Sequence, residues 1–242
     1  MIQREIAKNI IWPTTLSNNT KCKLIDIAQY KTEFTDHRQM LSDGVCYIYQ
    51  GTAAVCMQAK NLKTVNNVVM GKQEWFGDCQ SVNNNLLFFS LSEIEPLNLI
   101  VFPQEQLDRL IDIDLEVTKW LYHVVNASQQ KWRQSQLLLS ENKQIKIIYL
   151  LIELTMHQKQ IKGVLPKIAI SQQQISIITG ISRQRVNEAL KQLESAQCLE
   201  LERNSIYIID FKGLCKRLDH IDLSIRDPRY LDTVELNTLS MV

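Results

Sequence analysis

ISQQQISIITGISRQRVNEALKQLE, residues 170–194, is the stretch whose pattern decides the fold. Ser171 and Gln174 have the spacing of a capping box, in which each side chain satisfies the other residue's free backbone amide, so a helix is predicted to start at Gln172. Ile175 and Ile178 fall on its inner face. Gly180 follows, and glycine tolerates the positive φ on which one helix ends before another begins. Ser182 is placed to cap a second helix, where Val186, Ala189, Leu190 and Leu193 keep the i, i+3, i+4, i+7 spacing of a buried face. Arg183, Gln184, Asn187 and Glu188 remain on the outer face, close to the helix N-terminus. These are side chains that can read base edges. Two helices so arranged make a helix-turn-helix whose second helix is built to enter a major groove.

Downstream, Leu199–Glu202 and Ser205–Ile209 are two β-prone runs, with Arg203-Asn204 able to turn between them. Two helices and then a small hairpin make a winged helix. The quoted stretch together with this wing resembles the C-terminal domain of the Crp–Fnr family of bacterial transcription regulators, a resemblance that spans Ser140–Asp210. It implies an α+β fold: an N-terminal cyclic-nucleotide-binding-like β-roll (jelly roll), a long central dimerisation helix and a C-terminal winged helix-turn-helix. It also implies a homodimer on double-stranded DNA with a palindromic operator, and RNA polymerase as a further partner. The corresponding boundaries are residues 1–110 for the sensor domain, 111–139 for the dimerisation helix, 140–225 for the winged helix and 226–242 for a tail. In that frame Arg183 occupies the arginine position that reads a guanine in the cyclic-AMP receptor protein. Gln184 suits adenine, and Glu188 accepts from a base amino group such as cytosine N4. Ser171, Gln172, Gln173, Ser182, Arg185 and Arg203 are expected on phosphates, where they fix register without reading sequence.

The whole chain carries 45% hydrophobic and 22% charged residues, the balance of a globular protein, with a net charge of only +1. Any footprint for nucleic acid must therefore be local, and Arg183, Arg185, Lys191 and Arg203 supply one. No apolar run approaches the length of a membrane span, and Met1-Ile-Gln-Arg lacks the apolar core of a signal peptide, so the expected location is the cytoplasm. Cys22, Cys46, Cys56, Cys79, Cys198 and Cys215 form no C-x-x-C pair and are expected to be reduced there. Some members of the resembled family hold an iron–sulfur cluster on closely spaced N-terminal cysteines, and that spacing is missing here. His37, His123, His157 and His220 are scattered without metal-ligand spacing. No nucleophile elbow, phosphate loop or His–carboxylate pair is present, which argues against an enzyme. A winged helix that binds a protein partner instead of DNA is the alternative of a different class.

Between Met40 and Phe102 the chain reads as short strands: Val45–Tyr49, Thr52–Met57, Val65–Met70, Leu86–Leu91 and Leu97–Phe102, with Gly44, Gly51, Gly71 and Gly77 near their ends. Leu24–Ala28 is a short helix before them. Gln104–Leu110 is a short helix after them, and a long one starts near Asp114. On the long helix Val117, Trp120, Leu121, Val124, Ser128 and Trp132 recur at spacings of three and four. Such a stripe is expected to be a coiled-coil-like dimer interface, and burial within its own chain is the competing reading. Ser140-Glu-Asn-Lys breaks this helix before another begins at Lys143, and Phe211–Leu218 adds a last one. Tyr230 and Leu231 are candidates for docking the tail.

Tyr49-Gln-Gly51 and Trp75-Phe-Gly-Asp78 are similar to the strand–glycine turn and the FGE segment of the family's sensor domain. The effector pocket is accordingly expected around Phe76, Gly77, Asp78, Phe88 and Phe89. In cyclic-AMP-binding members an arginine follows that segment and holds the phosphate, because an anion wants backbone amides and a guanidinium fork. From Phe76 to Phe102 this chain has neither arginine nor lysine. A phosphate would meet a carboxylate and apolar side chains, so the expected effector is not cyclic AMP. No cofactor is implied. An uncharged ligand, a cysteine sensor and a scaffold without effector remain open.

Overall fold

The computed structural model describes residues 4–32, 44–59, 64–77, 87–158, 161 and 163–230. The chain divides into two units, Met1–Ser135 and Gln136–Val242.

The first unit is built on an antiparallel sheet. Its strands are β1 (Gln29–Lys31), β2 (Gly44–Ala59), β3 (Thr64–Met70), β4 (Trp75–Gly77) and β5 (Leu87–Pro103). They run in the order β1-β5-β2-β3, and β4 pairs with the first part of β2. Val45–Tyr49 and Thr52–Met57, expected as separate strands, are one strand, and so are the two predicted runs of β5. The reason is a series of register shifts from Ile48 to Ala53, which bends β2 without ending its pairing. Gly51 sits in that irregular stretch at φ 90°, where an added Cβ would lie 2.3 Å from the Pro96 carbonyl oxygen. It marks a bulge and a close backbone approach, not a strand end.

Successive residues of a strand face opposite sides, and both sides of β2 and β5 are buried. Cys46, Ile48, Leu97, Leu99 and Val101 join Met70, Phe76 and Leu91 in one core. Val45, Tyr47, Ile100 and Phe102 join a second core with Trp75 and the helices. Those helices are α1 (Arg4–Lys8), α2 (Asn18–Ile27), α3 (Gln104–Ile111) and α4 (Leu115–Leu137). Trp12 packs edge-on against both Phe102 and Trp120 in this layer.

The stripe on α4 is the main correction to the sequence reading. Val117, Trp120, Leu121 and Val124 belong to the second core, and Trp132 packs against the first. Ser128 is buried and donates to the Val125 carbonyl at 3.0 Å. The expected dimer interface is thus the face that α4 buries in its own chain. A sheet apolar on both sides needs a cover on each, and α4 supplies one of them. Lys131, one turn beyond Ser128, donates to the Val69 carbonyl at 2.7 Å and to Glu74 at 2.6 Å. The opposite side of α4 is open: Leu115 is 83% exposed and Tyr122 65%.

The second unit begins with a turn of tight helix at Leu138–Ser140, followed by α5 (Lys143–His157). Asn142 caps α5 by accepting from the Ile145 amide at 3.1 Å. Ile145, Ile147, Ile148, Leu151, Ile152 and Leu154 are all buried, so α5 is the centre of this unit. Around it lie α6 (Gln172–Thr179), α7 (Arg183–Ser195), α8 (Phe211–Lys216) and a sheet of β6 (Lys167–Ile168), β7 (Leu199–Glu202) and β8 (Ser205–Ile208) in the order β6-β8-β7. Strand β6 is too short to announce itself in the sequence. The segment after α8 returns to α5, where Arg226 donates to Tyr149 at 3.3 Å and to Glu153 at 2.8 Å. Arg229 forks onto Asp227 and reaches Asp219 at 2.6 Å. Among the described residues of the tail, Arg226 and Arg229 make these contacts. The Tyr230 side chain and Leu231, expected to dock the tail, lie outside the described residues.

Candidate nucleic-acid interface

The capping box at Ser171 is present in full. Its hydroxyl accepts from the Gln174 amide at 3.2 Å, and Gln174 Oε1 accepts from the Ser171 amide at 2.9 Å. The Ser171 hydroxyl also donates to Gln174 Oε1 at 2.8 Å. Its hydrogen is directed at Gln174. Gly180 ends α6 at φ 68°, and its amide bonds to the Ser176 carbonyl at 3.0 Å. Ser182 occupies the cap position of α7 but makes no capping bond through its side chain. It is exposed, so its hydroxyl is available to a phosphate.

Val186, Ala189, Leu190 and Leu193 are buried, as the spacing predicts, while Arg183, Gln184, Arg185 and Glu188 are exposed. The first turn of α7 carries no acid, so two guanidinium groups and the positive end of the helix dipole coincide there. Asn187 is half-buried, and its Oδ1 accepts from Gln172 Nε2 at 3.1 Å. This contact between the two helices escaped the sequence reading, because residues 15 positions apart meet only once the helices dock. Gln184 donates to Glu188 at 3.1 Å, one turn along. Gln173 is exposed.

The wing is fixed to α7 at its far end. The Cys198 amide bonds to the Leu193 carbonyl at 3.0 Å, and Gln197 takes φ 56°, the left-handed position that glycine usually fills. Glu194 then accepts from the Leu201 amide at 3.0 Å. Arg203 and Asn204 form the turn between β7 and β8, with Asn204 at φ 58°. Arg203 is exposed there.

In the first unit, Phe76 is 2% exposed and fills the core enclosed by the sheet. Gly77 ends β4 at φ 141°; Asp78 and the Phe88 and Phe89 side chains lie outside the described residues. Two cavities open elsewhere. One of about 660 Å³ is lined by Lys8, Tyr49, Gln50 and Lys72, the other of about 220 Å³ by Ile11, Met70, Trp75 and Lys131. Phe76 lines neither. Cys46, Cys56 and Cys198 are buried, and burial pushes the Cys56 thiol up to about 12, which disfavours the reactive thiolate. Cys79 lies outside the described residues. Among the described residues no three His, Cys, Asp or Glu groups gather as a metal site, and no helix is long and apolar enough to cross a membrane.

Residues 145–217 match the family model of the Crp-like helix-turn-helix domain. No curated protein matches the chain. Solved structures share its fold. A protein from Eubacterium rectale described as a transcriptional regulator of the Crp/Fnr family is 14% identical, with a TM-score of 0.61 over 82% of this chain and 93% of its own. The c-di-GMP responsive global regulator CLP of Xanthomonas campestris is 14% identical, with a TM-score of 0.60 over 79% and 99%. FixK2 of Bradyrhizobium japonicum is 15% identical, with a TM-score of 0.57 over 78% and 95%.

Proposed function

We propose a sequence-specific transcription regulator, because residues 145–217 belong to the Crp-like helix-turn-helix family and the chain has the fold of the Crp/Fnr regulators. One observation carries the reading. The buried face of α7 is fully engaged in its own domain, while Arg183, Gln184 and Arg185 are exposed in the first turn, which carries no acid, and Glu188 is exposed one turn on. Arg183 forks onto guanine O6 and N7. Gln184 keeps Oε1 and one N–H for adenine, and the Glu188 carboxylate accepts from a base amino group. Asn187 reads beside them. Gln172, Gln173, Ser182, Arg185 and Arg203 hold phosphates.

The regulator acts as a homodimer on a palindromic operator with half-sites about one helical turn apart. Since α4 buries its Val117–Trp132 stripe in its own chain, the dimer forms on the opposite face, around Leu115 and Tyr122. The sensor domain spans residues 1–110, α4 belongs to a dimerisation segment 111–139, and the winged helix and tail follow from 140 and 226. The effector is not cyclic AMP, because the segment from Phe76 to Phe102 offers no cation to a phosphate. RNA polymerase is the protein partner through which bound DNA changes transcription.

Selection from a random duplex pool, followed by titration of the selected duplex at several salt concentrations, tests this. The expected result is a palindrome bound by a dimer, with affinity falling steeply as salt rises. A monomer at micromolar concentration that selects no duplex overturns it. Calorimetry with cyclic AMP and cyclic GMP should show no complex at micromolar concentration.

A further inference from the structure

Asn187 lies on the outer face of α7, yet it is held by a residue of the other helix. Gln172 is the first residue of α6, and its Nε2 donates to Asn187 Oδ1 at 3.1 Å. A side-chain amide has one acceptor oxygen and two N–H donors on nitrogen. Unheld, it can turn either end toward a base and so prefers none strongly. With Oδ1 turned to Gln172, the amide presents Nδ2 and its donors on the other side.

We propose that Gln172 is a positioning residue that sets the polarity of Asn187, so that Asn187 presents its hydrogen-bond donors to a base. This rests on the assignment of α7 as the reading helix and gives Gln172 a role beyond a phosphate contact. A donor facing the major groove matches guanine N7 and O6, thymine O4 or adenine N7, and mismatches cytosine, whose edge there offers only an amino group. Asn187 therefore rejects cytosine at one position in each half-site. The fork of Arg183 is a separate contact and reads its own position. Gln184 is held at its other end: one amide N–H is drawn to Glu188, and Oε1 and the second N–H remain.

Three variants test the polarity, each by selection from a random duplex pool. Gln172→Glu replaces the donor by an acceptor, so the Asn187 amide turns its N–H toward the carboxylate and presents Oδ1 outward. Asn187→Asp keeps a partner for Gln172 but removes both donors. Both are expected to shift the preference at the same position from guanine and thymine toward cytosine, by about threefold to tenfold, the range of one net hydrogen bond, with adenine tolerated by either polarity. Gln172→Leu frees the amide, and the preference at that position should broaden toward none. The base read by Arg183 should stay fixed in all three. Because a loss of fold or of phosphate contact weakens every sequence alike, the switch in preference reports the polarity alone. If the wild type selects a sequence while all three variants weaken binding uniformly with unchanged preferences, Gln172 only holds a phosphate and the inference is wrong. If the wild type selects no sequence, the regulator reading fails and this inference with it.

Discussion

Replacing Lys131 by methionine is expected to destabilise the first unit without touching the second. The Lys131 side chain is 8% exposed and its partner Glu74 is 26% exposed. Methionine fills nearly the same volume, so the change isolates the ammonium group. Its loss removes the bonds to the Val69 carbonyl and to the Glu74 carboxylate. Breaking a buried ion pair on one side costs about 3–5 kcal/mol, because the remaining charge is left without compensation. Glu74 keeps the Gly71 amide at 2.7 Å and some access to water, which brings the expectation down to about 2–3 kcal/mol. The double variant with Glu74→Gln should recover about 1–2 kcal/mol, since the orphaned charge is gone. All four tryptophans, Trp12, Trp75, Trp120 and Trp132, lie within Met1–Ser135, so their fluorescence follows this unit alone. In a urea titration the Lys131→Met midpoint should fall by about 1–2 M for an m-value of about 1.5–2 kcal/mol per M. A midpoint within about 0.3 M of the wild type, or no recovery in the double variant, would refute the assignment of Lys131 as a stabilising bond between α4 and the sheet.

Acid should loosen α2 from the start of α4. The Lys23 ammonium, with Thr20 and the Glu116 amide, holds the Asp114 carboxyl below its ordinary range. A depressed value means that the stabilisation is complete above the unfolded value of about 4 and is lost as pH falls through the folded one. Melting of wild type and Asp114→Asn, followed by tryptophan fluorescence, should converge as pH falls from about 5 toward about 3; a constant gap counts against the contact. Arg183→Ala is expected to lose about 1–3 kcal/mol of duplex binding with relaxed preference at one base pair per half-site. Arg185→Ala should weaken all duplexes alike and make the salt slope of the dimer shallower by about 2; identical base preferences for the two variants would refute the reading face. Tyr122→Arg should dissociate the dimer in sedimentation while leaving the fluorescence melt unchanged, whereas Val124→Ala should lower the melt because Val124 is a core residue. The reverse pattern would restore the dimer to the buried stripe.

What the sequence disclosed depended on how local the cause was. The capping box, the glycine turn and the buried face of α7 each arise within a few residues, so Ser171, Gln174, Gly180 and Val186 could be read directly. The strands of the first unit were legible as β-prone runs, but glycine was read as an end where Gly51 makes a bend inside β2. Periodicity on α4 told truthfully that one face is buried. It could not tell what buries it, because that depends on the outer side of β2 and β5, where Val45, Tyr47, Ile100 and Phe102 await a cover. The pairing of Gln172 with Asn187 was hidden for a similar reason, being a consequence of helix docking and not of either helix.

Charge carries the same lesson further. A net charge of +1 says nothing of nucleic acid, and a count of basic residues near the helix-turn-helix says only that some are there. The structure sorts them by what they already hold. Lys23, Lys131, Arg226 and Arg229 are each engaged with a carboxylate. Arg226 is the extreme case, with a side chain 10% exposed against a Glu153 side chain 3% exposed. Moving such a cation to a phosphate would strand a buried carboxylate, at a cost larger than a phosphate contact returns. Arg183, Arg185 and Arg203 are exposed and form no ion pair among the described residues, so their binding to a phosphate or a guanine breaks nothing in the protein. Two lie in the first turn of α7 and the third at the tip of the wing, which Glu194 ties back to α7. Among the described arginines of the second unit, the exposed ones that form no ion pair are those that the capped helix and the wing display. That coincidence, and not the basic count, makes this unit a reader of DNA in our proposal.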